Sequence, residues 1–228
     1  MTNGVPLADE KFAETLMPWI DELCVSLHGP NKEIHDRLTG KPGSFAALMK
    51  TLQNAMRFHP EGLSADTTLT RQNLKHLKGI STILKRCRIA RWIIITVIPS
   101  GHGQANFERV IPRLSQTRKV LPSFFEDAAR KGLFPMVAGL PLCALGRRYI
   151  SHSLDYRADI AVKGTAARHS GKLRLWLEPG EKDFKIDIGR TKPARCASCT
   201  ENKECGGVYQ LYYEKFGDNE LIPFRKKS

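Results

Sequence analysis

Apolar and polar positions along the first two thirds of the chain fall into two alternating kinds of segment. Short apolar runs, "DELCVSLHG", "GLSADTTLT", "RWIIITVIPSG" and "GLFPMVAGLPLC", have strand length and end in small or polar residues. Between them, apolar residues recur every three or four positions. "LADEKFAETLMPWI" sets Phe12, Leu16 and Ile20 four apart, which predicts a helix burying that stripe. "GSFAALMKTLQNAMRF" predicts another, with Ser44 as its N-cap. "RQNLKHLKGISTILKRC" repeats Leu74, Leu77, Ile80 and Leu84 at helical spacing, and "TRKVLPSFFEDAARKG" ends its pattern at Gly132. Strand–helix–strand alternation predicts an α/β fold with parallel strands and right-handed crossovers. In such sheets functional residues gather at the C-terminal strand ends, here "SLHG", "TLTRQN", "IPSGHG" and "PLC".

After Cys143 the pattern weakens. "RRYISHSLDYRADIAVKG" reads as irregular or partly helical, "KLRLWLEPGEKDFKIDI" as a hairpin about Pro-Gly, and "GVYQLYYEKFGDNELIPF" as a short helix and an extended tail. No apolar run reaches the ~18–20 residues that would span a bilayer. The opening "MTNGVPLADEKF" lacks a basic start followed by an apolar core. These two features predict a cytoplasmic protein with no membrane partner. The net charge of +13, from 36 Lys and Arg against 23 Asp and Glu, favours polyanions. The basic residues are spread out and not interleaved with stacking aromatics, so they read as solvated helix faces and not as a nucleic-acid track.

The cysteines change the picture. Three of the six stand in "ARCASCTENKECGG": Cys196, Cys199 and Cys205. Thiolates at this density among Gly, Ser, Lys and Glu predict a metal site, zinc or iron–sulfur. Tetrahedral zinc and a cubane each want a fourth ligand. No Cys or His follows Cys205; before Cys196 the nearest are His169, His152 and Cys143. A hairpin between residues 172 and 190 would bring Cys143 back beside the loop; the other reading of Cys143 is a small buried hydrophobe. Cys24, inside a strand, and Cys87, at a helix end, read as packing residues.

The run "KPARCASCTENKECGGVYQLYYEKFGDNELIPF" resembles the tail of radical S-adenosylmethionine (radical SAM) proteins that carry an auxiliary [4Fe-4S] cluster in a SPASM-like domain. There a Cys-x2-Cys-x5-Cys loop precedes a Gly, an aromatic helix and an ending matched by Phe216, Gly217, Glu220 and Pro223. "GLPLC" resembles the segment that brings a further ligand. "CVSLHGPNKEIHDRLTGKPGSF" resembles the fourth barrel strand and its helix, "TTLTRQNLKHL" the fifth, and "TNG" at residues 2–4 the end of the third. The resemblance implies an incomplete TIM-type barrel over residues 1–140 and a small irregular Cys-rich extension over 141–228. It implies Cys143, Cys196, Cys199 and Cys205 as ligands of a [4Fe-4S] cluster. It implies S-adenosylmethionine contacts from Ser26, Asn73, Ile98 and Pro99, with His102 at the substrate side or exposed. It also implies structural roles for His28 and His35 and a surface role for Arg37.

Such proteins generate a 5′-deoxyadenosyl radical for peptide or cofactor maturation. The defining Cys-x3-Cys-x2-Cys loop and the Gly-Gly-Glu-Pro element are absent from this sequence. The expectation is a chain that resembles the family with its front removed and cannot cleave S-adenosylmethionine alone. Three explanations compete, in this order: a misassigned start or broken gene, a separate chain that supplies the barrel front, or a remnant turned cluster-binding module. The basic surface would suit an acidic electron donor such as a ferredoxin or flavodoxin. The competing readings are a non-catalytic zinc- or cluster-binding interaction module and, on charge alone, a nucleic-acid modifier.

Overall fold

The computed structural model describes residues 1–58, 62–89, 91–156 and 189–225. His169 and all but the end of the hairpin expected between 172 and 190 lie outside the described residues. A 3-10 turn at Pro6–Ala8 leads into α1 (Glu10–Leu16), a second turn at Met17–Trp19, and β1 (Leu23–Ser26). Then come α2 (Lys32–Thr39), α3 (Ser44–Phe58), β2 (Leu63–Leu69), α4 (Leu77–Arg86), β3 (Arg91–Thr96), the short α5 (Gly101–Ala105) and α6 (Phe107–Val110), and α7 (Leu114–Arg130). β4 (Met136–Ala138) and α8 (Leu142–Leu145) follow. The C-terminal part contains β5 (Arg190–Thr191), β6 (Val208–Tyr209) and α9 (Gln210–Phe216).

The four predicted strands form one parallel sheet in the order β1-β2-β3-β4, with Ser26 opposite Asp66 and Ile93 opposite Met136. Thr2 adds a single parallel bridge beside Val25, and Ser153 another beside Val137. The protein is therefore α/β with a four-stranded parallel sheet and helices.

Side-chain alternation gives the sheet two unlike faces. One carries Val25, Ala65, Thr67, Trp92, Ile94 and Val137, all buried. Against it, Trp92 meets Phe124 of α7 edge-on with ring centroids 5.3 Å apart, and its indole N–H donates to Thr67 at 2.9 Å. Burying each such aromatic is worth about 2–3 kcal/mol, and the indole polar atom is satisfied. Leu74, Leu77, Ile80 and Leu84 are all buried, as their spacing predicts. The other face carries Cys24, Ser26, Ser64, Asp66 and Thr68, then Ile93, Ile95 and Met136; it is partly open except for buried Asp66.

Two local expectations are corrected. α1 turns Ala13 and Met17 inward and leaves Phe12 and Leu16 exposed, because the 3-10 turn at Met17–Trp19 rotates the face that meets α3. Ser44 is not the cap of α3. Asp36, from α2, accepts from the backbone of Gly43 and Phe45 (both 2.7 Å) and from the Ser44 hydroxyl (2.9 Å), so one carboxylate caps the next helix. His35 and Asp36 lie inside α2, whose N-cap is Asn31.

His28, half-buried, and His35, buried, form a stacked pair, 5.8 Å between centroids. The His28 backbone N–H donates to Nδ1 of His35, and the Thr68 N–H to Nδ1 of His28, both at 3.2 Å. Both rings must be neutral at Nδ1 to accept. Burial, reinforced by His28, lowers the His35 pKa to about 4, and burial lowers that of His28. Between the ordinary histidine value and pH 4 the unfolded chain therefore binds more protons, so stability falls as pH falls. The expected loss between pH 7 and pH 5 is about 2 kcal/mol at ~1.4 kcal/mol per unit. Denaturant titrations at the two pH values measure it, and His35→Gln should flatten the slope; an unchanged slope would refute the account.

Candidate metal centre

The elements after β4 bring the cysteines together. α8 presents Cys143 in its first turn, two residues after the N-cap Pro141. β5 and β6 pair antiparallel, Arg190 opposite Tyr209 and Thr191 opposite Val208, and so close the base of the loop that holds Cys196, Cys199 and Cys205. Two glycines permit the close packing. At Gly207 (φ +78°) a Cβ would stand 2.2 Å from the Thr191 carbonyl. At Gly139 (φ +84°) it would strike the Thr96 and Tyr209 hydroxyls at 2.2 and 2.6 Å. Tyr209 thereby reaches the end of β3, where Thr96 donates to its hydroxyl at 3.3 Å. Asp155 ties the same joint: it accepts from the Gly139 N–H at 3.1 Å and from Arg190 at 2.8 Å.

All four expected cysteines line one cavity, walled by Pro141, Leu142, Leu221 and Pro223, with Lys192 and Asn202 at its edge. None of the six cysteines is in a disulfide. Backbone N–H groups already point at sulfur: Leu142 and Gly207 donate to Cys205 Sγ (both 3.4 Å) and Phe224 to Cys199 Sγ (3.3 Å). Among the described residues no three Cys, His, Asp or Glu side chains group about one ion position; the four thiols surround a space instead. Burial pushes the Cys143 thiol up to about 11, with Cys205 and Cys196 adding to the rise and an Ile222 backbone hydrogen bond and Arg118 opposing it. Cys196 is raised for similar reasons, burial first. Cys143 and Cys196, held protonated in this way, become ligands only when a cation offsets the charge of their thiolates. Apolar walls, sulfur-directed N–H groups and four thiols held in no disulfide fit an iron–sulfur cluster.

A second network fixes the tail that covers this cavity. Glu220 accepts from Arg113 (3.0 Å), from Ser115 and from Tyr212, while Arg118 donates to its carbonyl at 2.6 Å. Tyr212 in turn accepts from the Leu114 N–H at 2.9 Å. The Arg113 guanidinium also lies over the Phe216 ring, 4.2 Å from its centroid. Burial would raise the Glu220 pKa, but the hydrogen bonds from Ser115, Tyr212 and Arg113 prevail and lower it to about 2.

The other expected site residues stand along the C-terminal margin of the sheet and do not line the cysteine cavity. Ser26 donates to Asp66 at 2.8 Å on the open face. Asn73 is fully buried and does not cap the following turn with its side chain. Its amide accepts from the Thr70 N–H (2.8 Å) and donates to the carbonyls of His28 and Thr68 (both 2.9 Å), clasping the ends of β1 and β2. Ile98 is exposed and Pro99 half-buried after β3. His102 is exposed within α5, and Arg37 is exposed on α2, at the surface as expected. His152 is buried with Nδ1 2.7 Å from the Pro135 carbonyl and is not part of the cysteine set. Cys87 is buried as expected, whereas Cys24 stands on the open face with Sγ 3.8 Å from Asp66. Asp66 was not anticipated as a site residue. Its signal is the polar alternation of Ser64, Asp66 and Thr68, which marks a face turned from the core.

No family model matches the chain. It is similar to the AdoMet-dependent heme synthase of Nitratidesulfovibrio vulgaris, 26% identical over 255 aligned residues covering 95% of this chain and 67% of that protein. It is also similar to the enzyme of the same name from Oleidesulfovibrio alaskensis, 26% identical over 124 residues, 54% of this chain and 31% of that one. A third relative is the mycofactocin maturase of Mycolicibacterium smegmatis, 28% identical over 159 residues, 64% of this chain and 40% of that one. The chain thus spans between about a third and two thirds of the length of these curated relatives. Together these likenesses support a place in the radical SAM superfamily. Among the described residues no helix is long and apolar enough to cross a membrane.

Proposed function

We propose that this is a radical SAM-type protein whose region from residue 141 onward holds an auxiliary [4Fe-4S] cluster on Cys143, Cys196, Cys199 and Cys205, in a family that matures peptides or cofactors. The observation that carries this reading is the shared cavity: a cysteine from the end of the parallel sheet and three from a loop far along the chain line the same space. A single zinc ion binds each thiolate at about 2.3 Å; the resemblance to auxiliary-cluster proteins, together with backbone N–H groups directed at Cys205 and Cys199, favours a polynuclear cluster. When bound, such a cluster supplies one-electron transfer or a ligation point for substrate.

The sheet is read as part of a barrel whose inner face carries Ser26, Asp66 and Thr68. Ser26, Ile98 and Pro99 then border S-adenosylmethionine, while Asn73 serves it indirectly by holding the two strand-end loops together. Cleavage of S-adenosylmethionine would draw on the thiolates of a Cys-x3-Cys-x2-Cys motif, which this sequence does not contain, whether from a longer form of the chain or from a second chain. The excess positive charge suits an acidic one-electron donor of the ferredoxin or flavodoxin type.

Anaerobic reconstitution with iron and sulfide tests the reading. The expected product is brown, with about four irons and four sulfides per chain and a paramagnetic signal on reduction. A colourless protein holding one zinc per chain would replace it with the interaction-module reading.

A further inference from the structure

Asn202 lines the cysteine cavity beside Cys199 and Cys205. Its backbone is fully engaged: its N–H donates to the Cys199 carbonyl at 3.1 Å, and its own carbonyl accepts from Lys192 Nζ at 2.5 Å. Its side chain is not. Oδ1 is buried and has no hydrogen-bond partner among the described residues. A buried polar atom left unpaired costs about 1–3 kcal/mol, so this amide stands where a partner is wanting. Apart from Lys192, whose ammonium is hydrogen-bonded to the Asn202 backbone carbonyl, the surrounding wall is sulfur and hydrocarbon, and neither gives an amide oxygen a good donor. An amide turned through 180° about its last bond occupies the same volume and presents N–H instead. Thiolate and sulfide are acceptors, so that orientation becomes the favourable one once the cavity holds a sulfur-rich anion.

We infer that Asn202 is a positioning and tuning residue for the group bound in this cavity, its side-chain amide donating a hydrogen bond to cluster or cysteine sulfur. The inference rests on the cluster reading above. Lys192 supports it twice, by pinning the turn that carries Asn202 and by placing a cation at the cavity edge. Hydrogen bonds and positive charge near the sulfurs stabilise the more negative, reduced state, so both raise the reduction potential.

The test uses the whole chain, reconstituted anaerobically, with iron and sulfide content and the midpoint potential from a redox titration followed by paramagnetic resonance. Asn202→Leu removes the donor at similar volume; Asn202→Asp keeps the shape and adds a negative charge. Both are expected to load the wild-type amount of iron and to show a potential more negative than wild type, Asn202→Asp the more so. Loaded variants with the wild-type potential would overturn the inference while leaving the cluster reading intact. So would failure of both variants to load with the fold retained, which would make Asn202 a structural element of its loop. A wild-type protein that takes up no iron would remove both readings together.

Discussion

Cys143→Ala is expected to abolish cluster loading, dropping bound iron from about four per chain to background after anaerobic reconstitution. Cys143 is the one ligand candidate supplied by the sheet-side part of the molecule; the loop cysteines reach it only because Tyr209, Gly139 and Asp155 fasten the loop to the ends of β3 and β4. Three thiols would remain in a cavity open on the side of α8. Cys24→Ala and Cys87→Ala are the controls. Cys24 lies on the open sheet face and Cys87 at the end of α4, and neither lines the cavity, so both should load as wild type. Equal iron in Cys143→Ala and wild type would show that the fourth ligand lies elsewhere.

Glu220→Ala is expected to destabilise the chain by about 2–3 kcal/mol and to weaken iron retention. Its carboxylate gathers Arg113, Ser115 and Tyr212, holding the tail to the start of α7. Removing one member of a buried ion pair commonly costs about 3–5 kcal/mol; the lower figure here reflects the 36% exposure of the Arg113 side chain. Glu220→Gln should cost less, since its amide oxygen still accepts. The pH dependence follows from the lowered Glu220 pKa. The folded chain keeps this carboxylate ionised where the unfolded one binds a proton, so its contribution is complete above the ordinary carboxylate range and is lost as pH falls toward 2. Denaturant unfolding of Glu220→Ala at neutral pH reads the effect, and stability equal to wild type would refute the clamp.

Much of this architecture was legible because period and burial agree. The four strand segments were short, apolar and closed by turn residues, and the faces of α3 and α4 followed their spacing. The errors arose where two stripes competed or where a distant side chain intervened. Phe12–Leu16 and Ala13–Met17 are equally good helical stripes; larger residues suggested the first, and the turn at Pro18 selected the second. Ser44 has the right chemistry for a cap, but Asp36 arrives from the preceding helix and displaces it. Asn73 was visible as a polar residue at a strand end; that its amide is used up between His28 and Thr68 depends on pairing across strands. The cysteine set was narrowed by counting, since nothing after Cys205 could serve, and Cys143 was chosen by resemblance. Asn202 gave no sequence signal, for an asparagine in a polar turn looks like any other until its oxygen is found buried among thiols.

The joining of Cys143 to the 196–205 loop bears on more than ligation. The two stand on the order of fifty residues apart in the chain. A covalent group shared between them would act on the denatured ensemble as a cross-link, shrinking its conformational freedom by about 4 kcal/mol for a loop of that length. Iron would then serve as a staple, and stripping it with a chelator should lower the melting temperature before any chemistry is assayed.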